Sequence, residues 1–139
     1  MVIINVITMM NKEFLKEFVP YEVALRLKAL GFDEPCFGYY NSNGEFTFFA
    51  DLRNCTNNSE FKFYPTAPTF SQAFRWFRNK HKMDGWVVPF YSEDKKLYDI
   101  VIEGLGDYYD YASVDCLTHE EAEIICVTEL IRIIESKSK

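Results

Sequence analysis

The sequence predicts an α+β domain in the order α-ββ-α-ββ(β)-α, with three helices packed against an antiparallel sheet of about four to five strands. Three observations carry that expectation. Thr69 stands three residues before Gln72 at the head of an apolar-periodic run, a capping-box pattern that opens a helix. Thr118 and Glu121 repeat the pattern before a second, longer run. Aromatic stretches flank Asn41-Ser42-Asn43-Gly44, a cluster of turn formers that reads as the tip of a hairpin.

Residues 1–10 are apolar and β-branched, and read as an N-terminal arm or strand. A helix is expected at about 20–30. Pro20 suits a first helical position, where a missing N–H leaves nothing unpaired. Val23, Ala24, Leu27 and Leu30 share one face, and Gly31 is the stop. Residues 12–18 extend the helical pattern backwards, but Pro20 argues against one continuous straight helix. Cys36–Tyr40 and Glu45–Ala50 form the first hairpin. Asp51–Glu60, with three Asn, reads as a mobile loop, and Phe61–Tyr64 as a short extra strand before Pro65 and Pro68.

In the second helix Phe70, Ala73, Phe74 and Phe77 recur at three- and four-residue spacing and should face the core, with an end near Asp84-Gly85. Trp86–Tyr91 and Leu97–Glu103 then frame a charged loop, and Pro89 confines the first of these strands to an edge or a bulge. Tyr108–Val114 adds a further strand. On the last helix Ala122, Cys126, Val127, Leu130, Ile131, Ile133 and Ile134 sweep roughly 180–200° of the wheel. So wide an arc predicts burial against more than one neighbour, a second copy of the chain among them. Residues 136–139 read as a frayed tail.

A chain of 139 residues fits a single domain spanning 1–139. At that size folding buries about 68% of the extended surface, enough for a core without metal or disulfide staples. The unusual figure is 17% aromatic, and its nine Tyr point to half-buried strand faces or a contact surface. A net charge of −6 disfavours generic binding to nucleic acid or anionic membranes. No apolar run approaches the roughly 20 residues of a bilayer span. Four cysteines without paired spacing, at 36, 55, 116 and 126, predict reduced thiols in a cytoplasm. With only His81 and His119 beside them, no metal site or cofactor is expected.

Two surfaces stand out. From Leu97 to Ile131 nine acidic residues occur without a Lys or Arg, and within that stretch lie Asp107, Tyr108, Tyr109, Asp110 and Tyr111. Tyrosine joins apolar area to a polar tip, so this acidic-aromatic run is the candidate protein-binding surface, set against a half-exposed edge strand as the plain alternative. The opposite pole is basic. Arg75, Arg78 and Lys82 share one side of the second helix, with Trp76 as a stacking surface, and together form the candidate nucleic-acid face. Its plain alternative is a solvated face whose cations complement the helix C-terminus. Cys116 and His119 fall close to a helix start, where thiols are activated, but no orienting partner is identifiable.

The stretches Tyr21-Glu22-Val23-Ala24-Leu25, Gly31-Phe32-Asp33-Glu34-Pro35-Cys36, Pro68 to Arg78 and Glu120-Glu121-Ala122-Glu123 resemble a family of small uncharacterised proteins associated with phages and mobile elements of gut anaerobes. The resemblance spans roughly residues 20–135 and implies an accessory role, with no activity to transfer. The leading expectation is therefore a non-enzymatic accessory protein that binds an unidentified protein partner, with self-association through the last helix. A nucleic-acid-binding module using the basic face ranks second.

Overall fold

The computed structural model describes residues 12–104 and 109–137. It has the expected α+β class and order, but the strands divide between two antiparallel sheets. In chain order these are α1 (residues 12–15), α2 (Tyr21–Ala29), β1 (Gly38–Tyr40), β2 (Phe46–Phe48), α3 (Phe70–His81), β3 (Asp84–Ser92), β4 (Lys95–Glu103), β5 (Tyr109–Cys116) and α4 (His119–Lys137). A 3₁₀ turn at Leu52–Asn54 follows the first hairpin.

Pro20 stands one residue earlier than expected, as the N-cap of α2 rather than its first turn. The backbone before it leaves the helix altogether. Phe18 bridges Thr69, and the Val19 and Phe70 amides donate to the carbonyls of Pro68 and Glu17. This short pairing anchors α1 beside the start of α3. At the other end of α2, Gly31 (φ 95°) turns the chain, and the Phe32 amide donates back to the Leu27 carbonyl. Left-handed backbone there is easily reached only without a side chain. Val23, Ala24 and Leu27 are buried, as their spacing requires.

The capping box of α3 is complete, with the Gln72 amide donating to Thr69 Oγ1 at 3.1 Å and the Thr69 amide to Gln72 Oε1 at 2.9 Å. Phe70, Ala73 and Phe77 enter the core and Phe74 lies at its margin. The helix stops at His81, because Lys82 adopts left-handed backbone and returns its amide to Phe77. For α4, the Glu121 amide donates to Thr118 Oγ1 at 3.2 Å. The helix continues to Lys137, two residues into the stretch read as a frayed tail.

Sheet order is β3-β4-β5, and β3 and β4 meet at a two-residue turn with left-handed backbone at Glu93 and Asp94. A two-residue turn makes Ser92 and Lys95 a hydrogen-bonded pair, so alternate pairs down the ladder are bonded too. Pro89 opposite Tyr98 falls on an unbonded pair. Its nitrogen therefore points off the sheet edge and the ladder loses nothing. β5 slips against β4 at a bulge near Tyr98 and Ile100, where the buried Asp99 carboxylate accepts from the Val114 and Asp115 amides at 3.0 and 3.1 Å. One member of the acidic stretch is thus a structural acceptor inside the protein.

Helix α4 lies across this sheet and also packs on α2 and α3. Its buried residues are the seven read from the wheel. The chain's own sheet and helices fill the whole arc, so its width requires no second subunit. The first hairpin is tied to the remainder differently. Residues 65–67 run along the outer side of β1, with Tyr40 N–H donating to Pro65 and Ala67 N–H to Gly38. Phe61–Tyr64 is not a strand, since Pro65 and Pro68 interrupt any regular pairing and Thr66 makes only an isolated bridge to Tyr39. The Asn-rich loop is fastened by Asn58, whose amide donates to the Phe32 carbonyl and whose oxygen accepts from the Thr66 amide.

Gly85 on β3 sits directly under α4. A Cβ there would come within 2.9 Å of both Cys126 Sγ and Leu130 Cδ1. Gly85→Ala is expected to lower stability by about 1–3 kcal/mol, since a packed helix must move to admit one methyl. Urea unfolding of the variant checks this, with a change in midpoint at constant slope as the signature.

Candidate functional site

An apolar groove of about 530 Å³ lies between α1, the first hairpin and the start of α3. Its walls are Phe14, Phe18, Phe37, Phe48 and Phe49. The hairpin pleat supplies Phe48, α1 supplies Phe14, and the two rings touch at 5.6 Å between centroids. Phe18 anchors the set, in contact with Phe14 and Phe46. Phe14, Phe37 and Phe48 remain 46%, 46% and 49% exposed, large fractions for phenylalanine. Thr69, Cys55 and the carboxylates of Glu17 and Asp51 complete the lining. The groove is oily within and acidic at its margin.

A second hollow of about 350 Å³ lies between α3, β3 and the start of α4. It gathers Ser71, Arg78, Trp86, His119 and Glu123. His119 Nδ1 lies 3.3 Å from Glu123 Oε1. Desolvation pushes the Glu123 carboxyl up, and His119 offsets part of that rise. Arg78 is engaged with Asp84 at 3.8 Å. This hollow is mixed in charge and its cation is partly answered, which makes it a weaker receptor than the aromatic groove.

Within the basic face, Trp76 does not reach the surface. It is only 3% exposed, wedged between Phe32, Phe77 and His81, so it presents no open ring to a base. The chain segment around Phe32 covers that side of α3. Arg75 donates to Glu34 at 2.8 Å, and Lys82 caps the helix end by donating to the Asn79 carbonyl at 3.0 Å. Arg75, Arg78 and Lys82 are exposed, yet each has a partner within the chain.

Of the acidic-aromatic run, Asp107 and Tyr108 lie outside the described residues. Tyr109, Asp110 and Tyr111 are on β5, opposite Glu103, Ile102 and Val101, at the edge of the three-stranded sheet. Asp110 is partly exposed. Elsewhere in the stretch two acids have ion-pair partners: Glu129 lies against Arg132 and Glu123 against His119. Cys116 is buried, and its thiol is pushed up by burial and by the neighbouring carboxylates of Glu121, Asp99 and Asp115. That is the opposite of what an activated nucleophile needs. Burial likewise raises Cys36 and Cys126 to about 12. Among the described residues no three His, Cys, Asp or Glu side chains converge to hold a metal, and no helix is long and apolar enough to cross a membrane.

Sequence reasoning passed over the aromatic groove. The excess of phenylalanine was visible, but Phe14, Phe37 and Phe48 come from separate segments: the hairpin pairing brings Phe37 beside Phe48, and the Phe18–Thr69 bridge holds the Phe14 segment against the start of α3. No family model matches the chain, and no curated protein or solved structure matches it either.

His81 offers a titration check on the buried side of α3. Its Nε2 is buried without a hydrogen-bond partner among the described residues, and the ring packs on Trp76 and Phe77. Desolvation lowers its affinity for a proton, helped by Lys80 and Lys137. The unfolded chain therefore binds more protons below about pH 6.5, and stability should fall as pH drops through that value. In thermal melts between about pH 7.5 and about pH 5.5, a His81→Leu chain should lose less of its melting temperature than the unaltered protein.

Proposed function

We propose that this protein is a non-enzymatic accessory module that captures an apolar segment of a protein partner in the aromatic groove. The supporting observation is the convergence of three half-exposed phenylalanines on one concavity. Covering the free half of one such ring, about 90 Å², is worth roughly 2 kcal/mol. Three rings together offer roughly 6 kcal/mol, against which the ordering of the bound segment must be set. Such a balance suits reversible capture. Large aromatic anchors in a pocket are also the usual centres of binding energy at protein interfaces.

Glu17 gives the groove margin a negative charge, while the Asp51 carboxylate is answered by Arg53 at 3.4 Å. An occupant with lysine or arginine beside its apolar residues fits it, while an acidic one is repelled. Binding of a fluorescein-labelled apolar peptide flanked by lysines, followed by anisotropy, tests this reading. Phe48→Asp and Phe37→Asp should each weaken binding by at least about tenfold, with melting temperature little changed. Ile125→Asp, on an exposed position of α4 away from the groove, should bind as the unaltered chain does. Equal affinity in all four proteins removes the groove as the receptor.

A further inference from the structure

We propose that the face of the three-stranded sheet turned away from α4 is an interface between two copies of this chain, packed sheet on sheet with their strands antiparallel. The pattern of β3 and β4 motivates it. An antiparallel sheet with one face on a core alternates apolar and polar residues, yet Trp86 to Phe90 and Leu97 to Ile102 hold only one charged side chain. Gly85, Val87, Ile100 and Ile102 face α4. Gly85 lies under Cys126 and Leu130, and the other three belong to or pack on the core beneath that helix. Strand alternation puts Trp86, Val88, Phe90, Leu97 and Val101 on the opposite face. None of these five is part of the core that the described residues form beneath α4. Val101 is nevertheless buried, opposite Trp86 on the neighbouring strand, while Trp86 itself is 40% exposed. Asp99, the charge among them, is buried and accepts from the Val114 and Asp115 amides, so it needs nothing from a second molecule.

Charge at the two ends of β4 selects the occupant. Lys95 opens the strand and Glu103 closes it, both exposed and both on the face of Leu97 and Val101. Neither has an ion-pair partner among the described residues. Asp84, opposite Glu103, is engaged with Arg78, and Glu93 and Asp94 lie in the turn beyond the last pair of the ladder. A two-fold axis between the sheets and perpendicular to the strands sets Lys95 of one copy over Glu103 of the other, twice. An axis along the strands would instead stack lysine on lysine and glutamate on glutamate. The face therefore complements itself in one orientation, as an isologous pair requires. Sheets aligned in this way pack about 10 Å apart with their inner side chains interleaved. Three strands of this length make a face of roughly 27 Å by 14 Å. That is small among specific interfaces, so the pair is reversible.

Sedimentation equilibrium of the full-length protein between about 1 and about 200 µM tests the proposal. The apparent mass should rise with concentration from 16.4 kDa toward twice that value. Lys95→Glu and Glu103→Lys, made singly at exposed positions, should each weaken self-association about tenfold, since each sets like charges against one another at both ends of the interface. Mixed in equal amounts, the two variants should associate as tightly as the unaltered chain, because each then offers the charge the other lacks. Phe90→Glu should abolish the dimer while the chain keeps a cooperative melt. A monomer throughout the range overturns the inference. So does a dimer that either single charge variant leaves unchanged, that mixing fails to restore, or that survives in folded Phe90→Glu protein, for the copies then meet elsewhere.

Discussion

Helix α4 is the element on which the rest of the molecule depends. Seven of its residues are buried at once, because β3 and β4 lie beneath it while α2 and α3 close on its flanks. The approach is so near that β3 must present a glycine at position 85, where Cys126 and Leu130 fill the space a side chain would take. The Arg26–Glu135 ion pair then pins the far end of the helix to α2. Being partly exposed, that pair orients more than it stabilises. With α4 held by the sheet and two helices, its apolar arc is spent inside the chain.

What the sequence made legible follows the range of the forces involved. Capping boxes, the glycine after α2 and the two apolar stripes are local signals, and each produced the element expected of it. Pro89 was equally readable, since a residue without an amide hydrogen has few places in a sheet. Features set by distant contacts were not. Phe61–Tyr64 carries strand-forming side chains but lies in a loop, because the prolines after it leave only Thr66 free to bridge β1. Trp76 was read as a stacking surface beside the basic residues. The Phe32 segment, more than forty positions earlier, covers it. Asp99 looked like one charge in an acidic stretch until the β4–β5 bulge turned two amides toward it.

The aromatic groove belongs to the same class of non-local features. No window of sequence contains it, since its walls come from α1, from both sides of the first hairpin and from the loop beyond. The short extended pairing of 17–19 with 68–70 is what assembles them. That pairing also fixes α1, which is one wall of the groove. The overall negative charge argues against nucleic acid as a partner.

The two sheets treat their open edges in contrasting ways. Along β2 the outward amides and carbonyls of Phe46 and Phe48 meet no partner among the described residues, whereas on β3 the same row is interrupted by Pro89, which has nothing to donate. Neighbouring molecules crowded side by side would find that edge of the longer sheet a poor template for stacking. One imino acid thus discourages ordered growth from the β3 side, and any strand added to the larger sheet would have to approach along β5.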